Sequence, residues 1–126
     1  MLASTNNLDA LVLVLAGPLS IRIGASFIMQ SNERFYYVYI HTNKINNKKY
    51  VGITCRTPKV RWNNGKGYLT NNHFWNAIKK YGWDNIQHII LFENLSYKEA
   101  CQKEVELIKL YKTNCRKYGN DYGYNM

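Results

Sequence analysis

Glu104 stands where a charge is hardest to accommodate. Between residues 97 and 112 the apolar positions Tyr97, Ala100, Cys101, Leu107, Ile108 and Tyr111 recur at helical spacing, and Glu104 fills the gap in that stripe. A carboxylate with apolar neighbours four residues away on both sides faces inward, where desolvation is costly unless a cation compensates. Two chemistries fit that position: a metal ligand, or half of a structural ion pair with Arg61 as partner. Lys103 and Glu106 fall on the outer face and read as solvated charges. His73 opens another helical stretch, where the helix dipole holds an imidazole towards neutral and lets it accept a proton. A surface or capping histidine is the alternative there. His41 and His88 fall in strand-like runs and read as residues without chemistry. Cys55, Cys101 and Cys115 form no CxxC pair, and the three histidines lack zinc-finger spacing. Free thiols in a reducing, intracellular compartment are expected, and no structural zinc.

The elements that must position these groups begin with the stretch FYYVYIHTNKINNKKYVGIT, residues 35–54. It reads as two strands, about 35–42 and 49–54, joined by an Asn- and Lys-rich turn. Tyr39 and Tyr50 are brought side by side by the fold-back, and packing against a strand neighbour is the ordinary role for each. Thr57-Pro58 reads as the N-cap and first residue of a short helix, PKVRWNN, which carries Arg61 and ends at Gly65-Lys66-Gly67. Asn71 or Asn72 caps a second helix, with Phe74, Ala77, Ile78 and Tyr81 on one face and Gly82 as its stop. IQHIILFE, residues 86–93, reads as a well-buried third strand. Ser96 and Glu99 form a capping box for the third helix, and a polar tail closes the chain. The expected fold is α/β (α+β): a small three-stranded antiparallel sheet flanked by helices, in the order ββααβα.

Charge separates the chain into two parts. The net charge is +9, yet the first 30 residues hold only Asp9 and Arg22; the other 96 carry 16 Lys and Arg against 7 Asp and Glu. The whole excess therefore belongs to the part that reads as a domain, and it points to a polyanion, most simply nucleic acid. Residues 8–28 are apolar over about a bilayer's thickness. Asp9 and Arg22 lie inside that run, Gly17-Pro18 interrupts it, and no Lys or Arg precedes it. Residues 1–30 are read as an appendage or an over-extended start rather than a membrane tether, with the domain beginning near Ser31.

The hairpin resembles the GIY-YIG nuclease domain, which carries two such triplets on adjacent strands; here they are Tyr37-Val38-Tyr39 and Tyr50-Val51-Gly52. The resemblance extends over residues 35–126. Arg61-Trp62 follows on the first helix, Glu104 and Ile108 match a Glu-x-x-x-Ile context on the third, and Gly123-Tyr124-Asn125 matches a closing Gly-Tyr-Asn. Tyr37 stands where the family has its first Gly. The resemblance implies a metal-dependent DNA endonuclease, of the kind found in homing endonucleases, repair incision subunits and phage nucleases. It implies that Glu104 holds one Mg²⁺ or Mn²⁺ and that Arg61 pairs with the scissile phosphate. Tyr39 would orient or deprotonate the attacking water, Tyr50 would position the phosphate or assist that transfer, and His73 would stand in a region where some members carry a functional histidine. Asn125 would anchor the tail or support the metal site. No appended DNA-binding module is expected after the Gly-Tyr-Asn, so sequence specificity would be weak or supplied by a partner protein or a separate module. The competing expectation is a catalytically silent nucleic-acid-binding module of the same fold.

Overall fold

Side-chain alternation makes the first two strands a hairpin with one aromatic face. In the computed structural model, which describes residues 34–126, β1 (Tyr36–Asn43) and β2 (Lys49–Thr54) run antiparallel, with Tyr39 opposite Gly52 and His41 opposite Tyr50. Those four residues share a face. The turn closes because Asn side chains stand in for backbone. Asn43 Oδ1 accepts from Ile45 N at 2.9 Å, Asn46 Oδ1 accepts from Lys48 N at 3.0 Å, and Asn47 takes a left-handed φ of 65°. The apolar run expected as an N-terminal appendage lies outside the described residues.

The helix α1 (Pro58–Trp62) starts on its proline, although the Thr57 side chain makes no capping bond. It stops sooner than the pattern predicts. Asn63 and Asn64 adopt left-handed angles, and the chain continues as a kinked 3-10 turn to Tyr68. This second turn brings Tyr68 inside, which a single helix ending at Gly65 would not do. In α2 (Asn72–Tyr81), Asn71 Oδ1 accepts from Phe74 N at 3.0 Å, while Phe74, Ala77 and Ile78 are buried.

The third strand, β3 (Ile86–Leu95), pairs antiparallel with β1 on the side away from β2, giving the order β2-β1-β3. The three-stranded antiparallel sheet is as expected, but the burial of β3 is not. Only Ile86 is buried, and Ile89 to Phe92 are 37–42% exposed. With β1 in the centre, β3 is an edge strand among the described residues, so its apolar run does not report a covered position. The capping box of α3 (Tyr97–Tyr111) is present in both directions, and the helix packs against β1 and β2. Its predicted stripe is buried at Ala100 but opens to solvent at Tyr97 and Tyr111.

The polar tail is structured. Asn114 caps a short α4 (Cys115–Tyr118), and residues 123–125 return to β2, where Tyr124 N donates to Lys49 O at 2.9 Å. Tyr124 thereby joins Tyr39, Tyr68, Phe74, Ala77, Ile78 and Ile86 in the core, edged by Tyr50, Trp62 and Trp83. No helix among the described residues is long and apolar enough to cross a membrane.

Candidate active site

Tyr39 rises from the central strand and lies across β2 at Gly52. A Cβ on residue 52 would stand 2.5 Å from the Tyr39 hydroxyl and 2.6 Å from Cζ, so the strand can pass the phenol only where no side chain exists. The ring is wholly buried, with the Trp62 indole edge-on at 5.4 Å. Its hydroxyl is 3.0 Å from that of Tyr68, and the Tyr68 hydroxyl is 2.7 Å from His41 Nε2. Burial drives the Tyr39 pKa upward, against a smaller opposing pull from Arg61. Tyr68 is pushed up further by the same cause and by its proximity to Tyr39.

Tyr50 is the outer phenol of the pair. It is partly exposed and stacks on Phe74 with 4.9 Å between ring centroids. Burial again raises its pKa, with Tyr39 and Glu104 adding to the rise and Arg61 opposing it.

Arg61 is fixed from two sides. Its Nη1 donates to Gly67 O at 2.6 Å, and its guanidinium lies 4.6 Å over the Tyr68 ring. Gly67 has no space for a Cβ, which would collide with the Arg61 backbone carbonyl. Holding one nitrogen this way leaves the rest of the guanidinium fork for an anion. Beside it an open depression is lined by Arg56, Lys59, Arg61 and Asn63, a concentration of positive charge.

Glu104 is half-buried, and desolvation alone raises its carboxyl pKa. The ion pair with Arg61 is not formed: among the described residues the one salt bridge is Lys103–Glu106 at 3.6 Å. Glu104 therefore carries a desolvated charge with no cationic side chain of the described residues in a salt bridge with it. The charges of Glu104 and Arg61 act on both Tyr39 and Tyr50, in opposite directions. Among the described residues no group of three or more His, Cys, Asp or Glu could enclose a metal. The donor set is instead one hard, uncompensated carboxylate. Glu104 would hold a small, hard divalent cation of the kind that keeps much of its hydration shell.

His73 and Asn125 have hydrogen-bond partners of their own. His73 Nδ1 is 2.8 Å from Cys115 Sγ, its ring stands edge-on to Tyr124 at 5.3 Å, and burial lowers its pKa. Asn125 is committed to the backbone. Its Oδ1 accepts from Val51 N and its Nδ2 donates to Val51 O, both at 2.8 Å, like one further strand residue on β2.

Three residues without an assigned role complete the neighbourhood: Tyr68, His41 and His88. His41 is 1% exposed, and its Nδ1 is 2.9 Å from His88 Nδ1. Strand alternation already puts His41 on the face of Tyr39, two residues away, and that signal was readable. The approach of His88 depends on the register of β3, and that of Tyr68 on the kinked turn.

The sequence matches the family described as the GIY-YIG catalytic domain over residues 35–119. It is also similar to two proteins of Enterobacteria phage T4. One, named "Putative endonuclease segE", is 34% identical over 87 residues, covering 68% of this chain and 40% of that protein. The other, named "Putative endonuclease segC", is 34% identical over 98 residues, covering 74% of this chain and 48% of that protein. The chain thus spans less than half the length of either relative. No solved structure matches it.

Proposed function

The chain belongs to the GIY-YIG catalytic-domain family, and from that premise we propose that it is a DNA endonuclease that hydrolyses phosphodiester bonds with one divalent metal ion. The observation that carries this reading is the half-buried Glu104 carboxylate, without a salt-bridge partner among the described residues, whose charge acts on Tyr39 and Tyr50. A Mg²⁺ or Mn²⁺ ion on Glu104 would supply Lewis-acid neutralisation of the phosphoryl oxygens.

The remaining work falls to the protein. Arg61, anchored on Gly67 and stacked on Tyr68, offers its free nitrogens to the scissile phosphate and to the charge that grows on it. Tyr50, at the rim, positions that phosphate. Tyr39, at the floor, orients the attacking water and takes its proton. The basic depression around Arg56 and Lys59 follows the backbone of the DNA. Such contacts carry no base readout, so target choice falls to a partner protein or a further DNA-binding module. The free thiols suit a reducing compartment that holds DNA.

The test is nicking of supercoiled plasmid by wild type and Glu104→Gln, in Mg²⁺, in Mn²⁺ and in chelator. Wild type is expected to nick only with metal, and Glu104→Gln to nick slower by on the order of 10²-fold or more. DNA binding in chelator should be retained in both. Mg²⁺ should raise the melting temperature of wild type and leave Glu104→Gln unmoved. A wild type that binds DNA yet nicks it under neither metal would establish the silent-module reading instead.

A further inference from the structure

We propose that Tyr68, His41 and His88 form a proton outlet for Tyr39, carrying the proton taken from the attacking water out of the core to the half-exposed His88 ring. The inference deepens the nuclease reading and rests on it.

The outlet is a continuous line of hydrogen-bonding atoms. Tyr39 Oη and Tyr68 Oη are 3.0 Å apart, Tyr68 Oη and His41 Nε2 2.7 Å, and His41 Nδ1 and His88 Nδ1 2.9 Å. Its inner part is buried: Tyr39, Tyr68 and His41 are each at most 1% exposed. His88, by contrast, reaches solvent. A phenol this buried meets water only when the attacking molecule is seated against it with the substrate, and it has no direct exit to bulk solvent for the proton it takes. Nor does it ionise readily, because burial raises its pKa. A base of that kind needs a route by which it never becomes a phenolate.

The polarity of the line follows from its far end. The outlet runs in one polarity, that in which His88 carries its proton on Nε2 and turns a bare Nδ1 to His41, 2.9 Å away. A neutral His88 protonated on Nε2 has a bare Nδ1, which must accept from His41 Nδ1–H. His41 Nε2 is then bare and accepts from the Tyr68 hydroxyl. At rest the Tyr68 hydroxyl points at Tyr39. Hydroxyls rotate to suit their partners, and in the working polarity Tyr68 turns onto His41 Nε2 while the Tyr39 hydroxyl turns towards Tyr68 and presents an oxygen lone pair to the site. Burial keeps His41 neutral, and the nearby Arg61 guanidinium disfavours its imidazolium as well. His88 sees Lys44 and Asp84, which oppose one another, and stacks on Trp83 at 4.0 Å.

The proton count closes. As the water oxygen bonds to phosphorus, its O–H proton passes to Tyr39 Oη. The former Tyr39 proton moves to Tyr68, the Tyr68 proton to His41 Nε2, and the His41 Nδ1 proton to His88 Nδ1. Both phenols stay neutral, and His88 ends as an imidazolium that releases its proton to solvent. The leaving oxygen departs with the P–O bonding pair and takes a proton from solvent. Rotation of the hydroxyls and exchange of the two imidazole tautomers resets the line. Tyr68, His41 and His88 are positioning residues in this scheme, acting on the reaction through Tyr39.

His88→Gln is the discriminating variant: its carboxamide can still accept from His41 Nδ1–H but cannot take the proton. Single-turnover nicking between pH 5 and 9 should show an acid limb in wild type with a midpoint below 6.5, where protonated His88 blocks the outlet. In His88→Gln the limb should vanish and the rate should fall by on the order of 10²-fold. The melting temperature should move by no more than a few degrees. Imidazole ¹⁵N NMR of wild type should find His41 protonated on Nδ1 and His88 on Nε2. A His88→Gln variant that nicks as fast as wild type with the same acid limb overturns the outlet alone, as does a His41 protonated on Nε2. A wild type that nicks no DNA overturns the outlet together with the nuclease reading.

Discussion

Replacing Asn125 by alanine separates a residue of the fold from a residue of the chemistry. The Asn125 carboxamide is 9% exposed and occupies both backbone groups of Val51, which is fully buried, at 2.8 Å each. Alanine would strip Val51 N–H and C=O of their partners at once. A buried backbone group left unpaired costs about 1–3 kcal/mol. Two of them, partly relieved by water at the slightly exposed edge, come to about 2–4 kcal/mol. For a unit the size of residues 34–126, each kcal/mol lowers the melting temperature by roughly 4–8 °C, so the expected drop is about 10–25 °C. Thermal and urea melts measure it. Nicking, assayed well below the new melting temperature, should change by no more than a few-fold per folded molecule, because the amide commits its Oδ1 and one of its two Nδ2 hydrogens to Val51 and so serves the fold. Asn125→Asp should destabilise comparably, since it keeps an acceptor for Val51 N–H but sets a carboxylate against Val51 C=O. An Asn125→Ala variant that melts within a few degrees of wild type and loses nicking a hundredfold would refute this reasoning and place the amide on the substrate.

Two further predictions address the floor of the site. Gly52→Ala puts a methyl group 2.5 Å from the Tyr39 hydroxyl, so the phenol must leave its present position; we expect about 1–3 kcal/mol of destabilisation and a loss of nicking of on the order of 10². Wild-type melting and rate in that variant would show that Tyr39 has room to spare. The pH dependence of stability should carry the mark of His41, whose folded pKa lies well below its ordinary 6.5 because of burial first and His88 second. The unfolded chain then binds the proton more readily, so stability is full above about 6.5 and declines as pH falls below it. Glu104, with its raised carboxyl pKa, contributes with the opposite sign, and Glu104→Gln removes that contribution. A melting temperature flat from pH 7.5 to 5 in Glu104→Gln would contradict the account of His41.

The parts of the fold that were legible are those written in local chemistry. The capping box at Ser96 and Glu99 joins residues three apart, and the Asn71 cap reaches Phe74, so each can be read from a few letters. The hairpin needs only alternation and an Asn-rich turn. The burial of β3 was misread because an apolar run gives hydrophobicity but not neighbours. Whether such a strand is central or at an edge depends on which strand pairs with which, and here β1 takes the centre. The tail is the opposite case, where only the resemblance singled out Asn125 as an anchor and the composition did not. Its polar letters hide Tyr124 and Asn125, whose partners Asn43 and Val51 lie 81 and 74 residues earlier.

The same division runs through the site. Glu104 could be found from sequence because an inward charge contradicts the periodicity of its own helix, and a contradiction of that kind is visible one element at a time. What became of the contradiction was not visible: Arg61 could have answered the charge, and the structure instead turns it onto Gly67 and Tyr68. His41 violates no pattern, since a strand next to aromatic residues accepts an imidazole without complaint. Its significance arises only when β3 sets His88 beside it and the kinked turn lowers Tyr68 onto it, contacts spanning 47 and 27 residues. A burial penalty is a property of one residue and its helix, whereas a hydrogen-bonded line is a property of three elements in register. The first can be inferred from spacing, and the second requires the fold.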